Sequence, residues 1–135
     1  MGQAIAKKLG LKPGMRALVI GAPAGYRHLV EPLPAGVVIS EAMSGTHEFV
    51  QLFATRQREL RKRAAGFVKH AAPRGLVWIA YPKKTSGMES DLDRESVRKV
   101  MSECGWRAVT IVAIDDVWAA LRFRPVGDVK PRGRK

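Results

Sequence analysis

The stretch LGLKPGMRALVIGAPAGY, residues 9–26, constrains the fold more than any other part of the chain. Lys12-Pro13-Gly14 reads as a turn, residues 16–20 (RALVI) as a short buried strand, and Gly21-Ala22-Pro23-Ala24-Gly25 as the loop that ends it. Residues 24–31 then allow one or two helical turns, stopped by Pro32 and Pro34. A strand that halts at a small-residue loop before a helix is how many α/β proteins build a pocket of nucleotide size.

The rest of the chain repeats this alternation. Residues 2–9 can form a short leading helix, and 36–40 (GVVIS) and 47–54 (HEFVQLFA) read as strands. Over 55–71, Leu60, Ala64, Phe67 and Ala71 recur at i, i+4, i+7 and i+11, one apolar stripe of a long helix. Pro73 and Gly75 break it, and residues 76–81 (LVWIAY) form a central strand. A second helix is expected over 91–104, capped by Ser90 or Asp91, with Val97, Val100, Met101 and Cys104 as its buried stripe. Residues 106–114 and 117–124 flank Asp115-Asp116 as an antiparallel hairpin.

Strands alternating with helices over 135 residues describe one α/β domain with a mostly parallel sheet. No apolar run approaches the ~20 residues that span a bilayer, and the first ten residues lack a signal-peptide core. The lone Cys104 has no partner for an internal disulfide, which suits a reducing compartment. The expectation is a cytoplasmic protein with no membrane contact. Lys and Arg number 24 against 12 Asp and Glu, a net charge of +12. Such a field attracts nucleic acid and other polyanions without regard to sequence, although a basic soluble protein need not use it.

Four segments carry a resemblance to a known family: LKPGMRALVIG, FVQLF ahead of a long helix, APRGLVWIAYPK, and IVAIDDVWAALRFRP. Their order resembles the class I S-adenosylmethionine-dependent methyltransferases, and more closely a group of short methyltransferase-like proteins in which that name denotes a fold. The resemblance implies a reduced Rossmann-like domain over residues 1–125, with a mostly parallel sheet and an antiparallel C-terminal hairpin; residues 126–135, with four basic residues, one acid and little to bury, read as a flexible basic tail. It also implies S-adenosylmethionine as the possible cofactor, at Gly21, Ala22, Pro23 and Gly25, with Glu41 facing the ribose hydroxyls. The chain departs from the family pattern. Val19 stands where an acid is usual, Pro23 replaces the middle glycine of Gly-x-Gly-x-Gly, and one strand-helix unit is missing between Ser40 and His47. Proline removes an N–H and fixes φ where the backbone should approach a ligand.

Other candidate sites follow from residue type. Lys83, Lys84, Thr85 and Ser86 offer two cations and two hydroxyls for a phosphate or carboxylate, placed after a central strand; the segment is not a Walker loop. Arg58, Arg61, Lys62 and Lys69 on the long helix, with the basic tail, could track nucleic-acid phosphates. Glu89, Asp91, Asp93 and Glu95 alternate but lack the glycine and distal glutamate of an EF-hand, and His28, His47 and His70 are too scattered for zinc, so no metal is expected. Cys104 reads as core, and no Ser-His-Asp or Cys-His set assigns a catalytic residue. The leading expectation is a small non-catalytic methyltransferase-like protein that binds an anionic ligand or acidic partner at a rim formed by 21–26, Glu41 and 83–87. The alternatives are a methyltransferase with a variant cofactor loop and an electrostatic nucleic-acid binder.

Overall fold

The computed structural model describes residues 5–128. Its elements, in chain order, are α1 (Ile5–Leu9), β1 (Arg16–Ile20), α2 (Tyr26–Leu29), β2 (Val38–Ser40), β3 (His47–Phe53), α3 (Gln57–Val68), β4 (Ala71–Pro82), α4 (Arg94–Glu103), β5 (Trp106–Ala113) and β6 (Trp118–Pro125). Short 3-10 turns lie at Lys84–Ser86 and Val126–Asp128. The strands form one six-stranded sheet in the order β2-β1-β3-β4-β6-β5. The first four are parallel, and β6 and β5 join antiparallel. The expected mixed α/β sheet with an antiparallel end is the observed one.

Six of the seven residues of β3 are buried, which explains its nearly continuous apolar run. Leu18 of β1 pairs with Val50, and Leu52 pairs with Ile79 of β4, so β3 ties both halves of the sheet together. Leu60, Ala64 and Phe67 of α3 and Val97, Val100 and Met101 of α4 cover one face. The other face is covered by Ala6 and Leu9 of α1, Tyr26 of α2 and Val30 after it. Trp78 fastens α1 to the sheet, donating from Nε1 to the Leu9 carbonyl at 3.0 Å.

At the amino ends of β1 and β3, Glu48 accepts from the Arg16 backbone N–H at 2.7 Å and from its Nη2 at 2.5 Å. The Arg16 guanidinium and backbone N–H hold the Glu48 carboxyl down at about 2. His47 beside it is pushed below the usual histidine range, first by burial and then by Arg16.

Several boundaries differ from the sequence expectation. The long helix stops at Val68, because the His70 carbonyl accepts from His47 N–H at 2.8 Å and Ala71 pairs with His47 in the sheet. Ala71 therefore belongs to β4 rather than to the helix stripe. β4 starts early and bulges: its pairing with β3 jumps from Ala71 to Leu76, and Arg74 takes a left-handed φ of 63° within the jump. α4 is capped by neither Ser90 nor Asp91. Asp93 is the cap, accepting from Ser96 N–H at 2.9 Å, while Ser96 Oγ accepts from Asp93 N–H. Asp91 serves α3 instead, accepting from Gln57 N–H at 2.7 Å. β2 runs into β3 through residues 41–46 with no intervening element, so the missing strand-helix unit is absent as expected. Of the expected tail, 126–128 form a turn, and the basic residues 130, 132, 134 and 135 lie outside the described residues.

Two stability outcomes follow. Asp93→Ala removes a helix cap and should cost about 1 kcal/mol in chemical denaturation. Glu48 has a folded pKa below its unfolded value near 4.5, so its contribution is complete above that pH and is lost as pH falls towards 2. Glu48→Gln should therefore melt below the wild type at pH 7, and the two should converge as the pH drops through that window.

Candidate functional site

The chain leaves β1 for β2 in one direction along the sheet and leaves β3 for β4 in the other. Right-handed crossovers then place α2 and α3 on opposite faces, and a crevice opens at the carboxyl ends where the order reverses. The loop after β1 borders it. Gly21 takes φ 75°, and a Cβ there would lie 3.0 Å from the Phe53 carbonyl oxygen. Glycine is therefore required for the loop to clear β3. Gly25 takes φ 87° and has open space beyond it. Between them, the Pro23 carbonyl accepts from Tyr26 N–H at 3.2 Å and closes the turn.

A cleft of about 450 Å³ lies outside this loop, lined by Val19, residues 22–28, Ile39 and Glu41. It brings together every residue of the expected cofactor set except Gly21, which shapes the loop from behind. Val19 is buried, so the floor carries no carboxylate. Glu41 supplies one from the far wall, held by Arg27 at 3.6 Å in an ion pair with both side chains more than half exposed. Such a pair contributes little and leaves the carboxylate free to exchange partners.

Below the loop, the Tyr26 hydroxyl donates to Gln51 Oε1 in a buried pair. Burial pushes the Tyr26 hydroxyl far above the usual tyrosine range. The Tyr26 ring meets Phe53 edge-on at 5.2 Å, and Phe53 meets Trp118 at 5.0 Å. Neither Gln51 nor the supporting role of Tyr26 was singled out from sequence, although one amide inside FVQLF was the available signal.

The expected single rim is two sites. Lys83, Lys84 and Thr85 line a separate groove of about 570 Å³ with Tyr81, Asp93, Arg94, Glu95, Ile111, Ala113 and Ala119. β3 stands between β1 and β4, so the two loops start about 10 Å apart, and the lysine loop leans to the α4 face. Lys84 is paired with Asp93 at 3.2 Å, whereas Lys83 and Arg94 have no ion pair among the described residues. Ser86 is not among the groove's lining residues; its Oγ accepts from Met88 N–H at 3.1 Å. The Asp93 carboxyl is held below its usual range by the Ser96 backbone N–H, with Lys84 adding to it. A third groove of about 840 Å³ follows α4 to Trp106 and is lined by both signs of charge, as a solvated helix flank is.

Arg58 and Lys62 of α3 are exposed, as is Lys69, which caps the helix rather than lying on it, but Arg61 is tied to Glu103 of α4. Asp115 is structural: its Oδ1 accepts from Val117 and Trp118 N–H at 2.9 and 2.8 Å and forms the hairpin turn. His47 and His70 sit at the opposite end of the sheet from the clefts, and Cys104 is half-buried against the α3–α4 core. Among the described residues, no three His, Cys, Asp or Glu side chains converge on a metal-sized space. No helix there is long and apolar enough to cross a membrane.

No family model and no curated protein matches the chain. Solved structures do. DhpI in complex with SAH superposes at a TM-score of 0.62 and 10% identity, over 90% of this chain and 82% of DhpI. The N-methyltransferase NodS from Bradyrhizobium japonicum WM9 gives 0.58 and 13%, over 84% of this chain and 87% of its own. Magnesium protoporphyrin IX methyltransferase ChlM from Synechocystis PCC 6803, with bound SAM, gives 0.58 and 11%, over 88% and 73%. The fold is that of the class I methyltransferases.

The loop geometry makes a graded prediction. Gly21→Ala meets both the left-handed φ and the Phe53 carbonyl, and Gly25→Ala meets the φ alone. Gly25→Ala should cost about 1–2 kcal/mol in urea denaturation, and Gly21→Ala measurably more.

Proposed function

We propose that this chain is an S-adenosylmethionine-dependent methyltransferase with a variant cofactor loop. The carrying observation is the cleft of about 450 Å³ outside β1 and β2, with the loop on one wall and the Glu41 carboxylate on the other. The volume lies within the range of small-molecule sites. The open space beyond Gly25 lets the backbone approach a ligand there, and Glu41 can accept from vicinal ribose hydroxyls once it leaves Arg27. DhpI and ChlM, which share the fold, hold SAH and SAM in their structures, and this supports the same ligand class.

When bound, the cofactor supplies an electrophilic sulfonium methyl. The residues of this chain would bind and orient it: residues 22–25 would cradle one end over the apolar floor of Tyr26 and Val19, and Glu41 would hold the sugar. Pro23 contributes a rigid turn in place of an N–H donor. With an acceptor already nucleophilic, alignment alone can carry the transfer, so no dedicated base is needed.

S-adenosylhomocysteine at about 100 times its dissociation constant should stabilise the protein by about 2.7 kcal/mol. Glu41→Ala should weaken binding roughly tenfold by titration calorimetry, the scale of a lost charged hydrogen bond, whereas Arg27→Ala should bind at least as well as the wild type. The absence of both a binding heat and a melting shift at millimolar ligand would overturn the methyltransferase reading.

A second reading rests on the other groove. Lys83 and Arg94 flank a groove with buried Tyr81 and Ala119 at its floor and exposed Ile111 on its wall, an arrangement suited to a ligand with an apolar body and an anionic head. On that reading the protein is a non-catalytic binding module. It predicts that an aromatic carboxylate such as naphthoate raises the melting temperature and that Lys83→Ala with Arg94→Ala abolishes the shift; an unchanged shift in the double variant excludes this groove.

A further inference from the structure

The two faces of the sheet are covered unequally. α3 and α4 supply helices of 12 and 10 residues on one side, whereas α1 and α2 supply 5 and 4 on the other. On the thinly covered side the chain places arginine. Arg122 of β6 pairs in the ladder with Trp78, which fixes it on the α1 face, and Arg124 lies two residues further along the same face. Arg107 of β5 is the direct ladder partner of Arg124, and Thr110 is that of Arg122.

Like charges directly opposite one another on a ladder destabilise a sheet. An ordinary solvated face relieves this by interspersing both signs. Here none of the three arginines has a carboxylate partner among the described residues, although seven other ion pairs are present there. Arg122 is half-buried, and its Nε is sequestered without any hydrogen-bond partner. Burial, and then the Arg124 charge, push its pKa down, as expected of guanidinium groups crowded together without an anion. Arg107 stands exposed on the sheet edge, where it also borders the groove along α4.

We propose that this arginine face of β5 and β6 docks the phosphate backbone of duplex nucleic acid. Guanidinium groups suit phosphate because their forked donors match its oxygens, and here the ladder holds them in a fixed array. The aromatic residues decide for a duplex over a single strand. On the arginine face the rings of Trp78 and Trp118 are buried, and half-buried Trp106 packs on the opposite, α3–α4 face, so this face offers an unpaired base no aromatic stacking surface. Contacts confined to phosphates fix position without reading bases, so binding should tolerate any sequence. The exposed α3 residues Arg58 and Lys62 are the competing surface. The proposal does not depend on the cofactor cleft, which lies at the other end of the strands.

The test is fluorescence anisotropy of a labelled random-sequence DNA duplex with the full chain, titrated between low and physiological salt. Variants are Arg107→Glu with Arg124→Glu, the milder Arg107→Gln with Arg124→Gln should charge reversal prevent folding, and Arg58→Glu with Lys62→Glu as the comparison. Wild type should bind with a steep salt dependence. The strand variant should lose tenfold or more and flatten the log–log salt slope by about 2, roughly 0.9 for each lost phosphate contact. The helix variant should stay within about threefold of wild type. Three results would each overturn the proposal: no duplex binding at low salt, a loss equal to or greater than the strand variant's in the helix variant, or tighter binding of the corresponding single strand.

Discussion

The parallel pairing of β3 with β1 on one side and β4 on the other is the constraint on which the rest of the structure depends. β3 is the strand through which both βαβ units meet, and it is buried on both faces. Its alternate residues therefore serve two cores at once: Val50 and Leu52 beneath α3 and α4, Phe49 and Phe53 beneath α1 and α2. A slip by one residue would exchange the two sets and leave Gln51 and Glu48 in the wrong environments. The Arg16–Glu48 contacts at the amino ends oppose such a slip between β1 and β3. With that register fixed, the reversal of strand order is fixed too, and with it the crevice at the carboxyl ends.

The loop after β1 is shaped from below as much as from its own sequence. Gly21 passes within contact distance of the Phe53 carbonyl, and Tyr26 anchors the far end through Gln51. Tyr26, Phe53 and Trp118 form a chain of edge-on rings that carries this support across β3 to the hairpin. Pro23 fits this setting because its carbonyl, not its missing N–H, is what the turn uses. A residue that departs from the family pattern thus leaves the loop's course intact while removing one donor from the cleft.

The economy of the chain has a cost on the α1 face. With α1 of five residues and α2 of four, that face has less helix to bury apolar side chains against than the face under α3 and α4. The buried aromatics Trp78 and Trp118 fill its centre, and towards the amino end of β5 the surface becomes cationic.

Much of the fold was legible in the sequence, because its signals are local. Arg16–Ile20 ended where Gly21 demanded, and the α3 stripe of Leu60, Ala64 and Phe67 packed as its period implied. Ala22, Pro23, Gly25 and Glu41 line one cleft, with Gly21 behind it, since they follow adjacent parallel strands. What could not be read were the long-range choices. Asp93 rather than Asp91 caps α4 because Asp91 is drawn 34 residues away to Gln57, and Ala71 left its helix because His47 offered a ladder partner. The lysine loop could not be separated from the loop after β1 until the sheet placed β3 between them. The cross-strand meeting of Arg107 and Arg124 likewise depends on a bulge at Val109 that shifts the register. The sequence alone determined the elements, the class of sheet and the sign of the charge, since each reflects periodicity, turn chemistry or composition. Only the tertiary structure decided which caps, clefts and arginines act together, because those pairings are set by strand order and register, which no local stretch encodes.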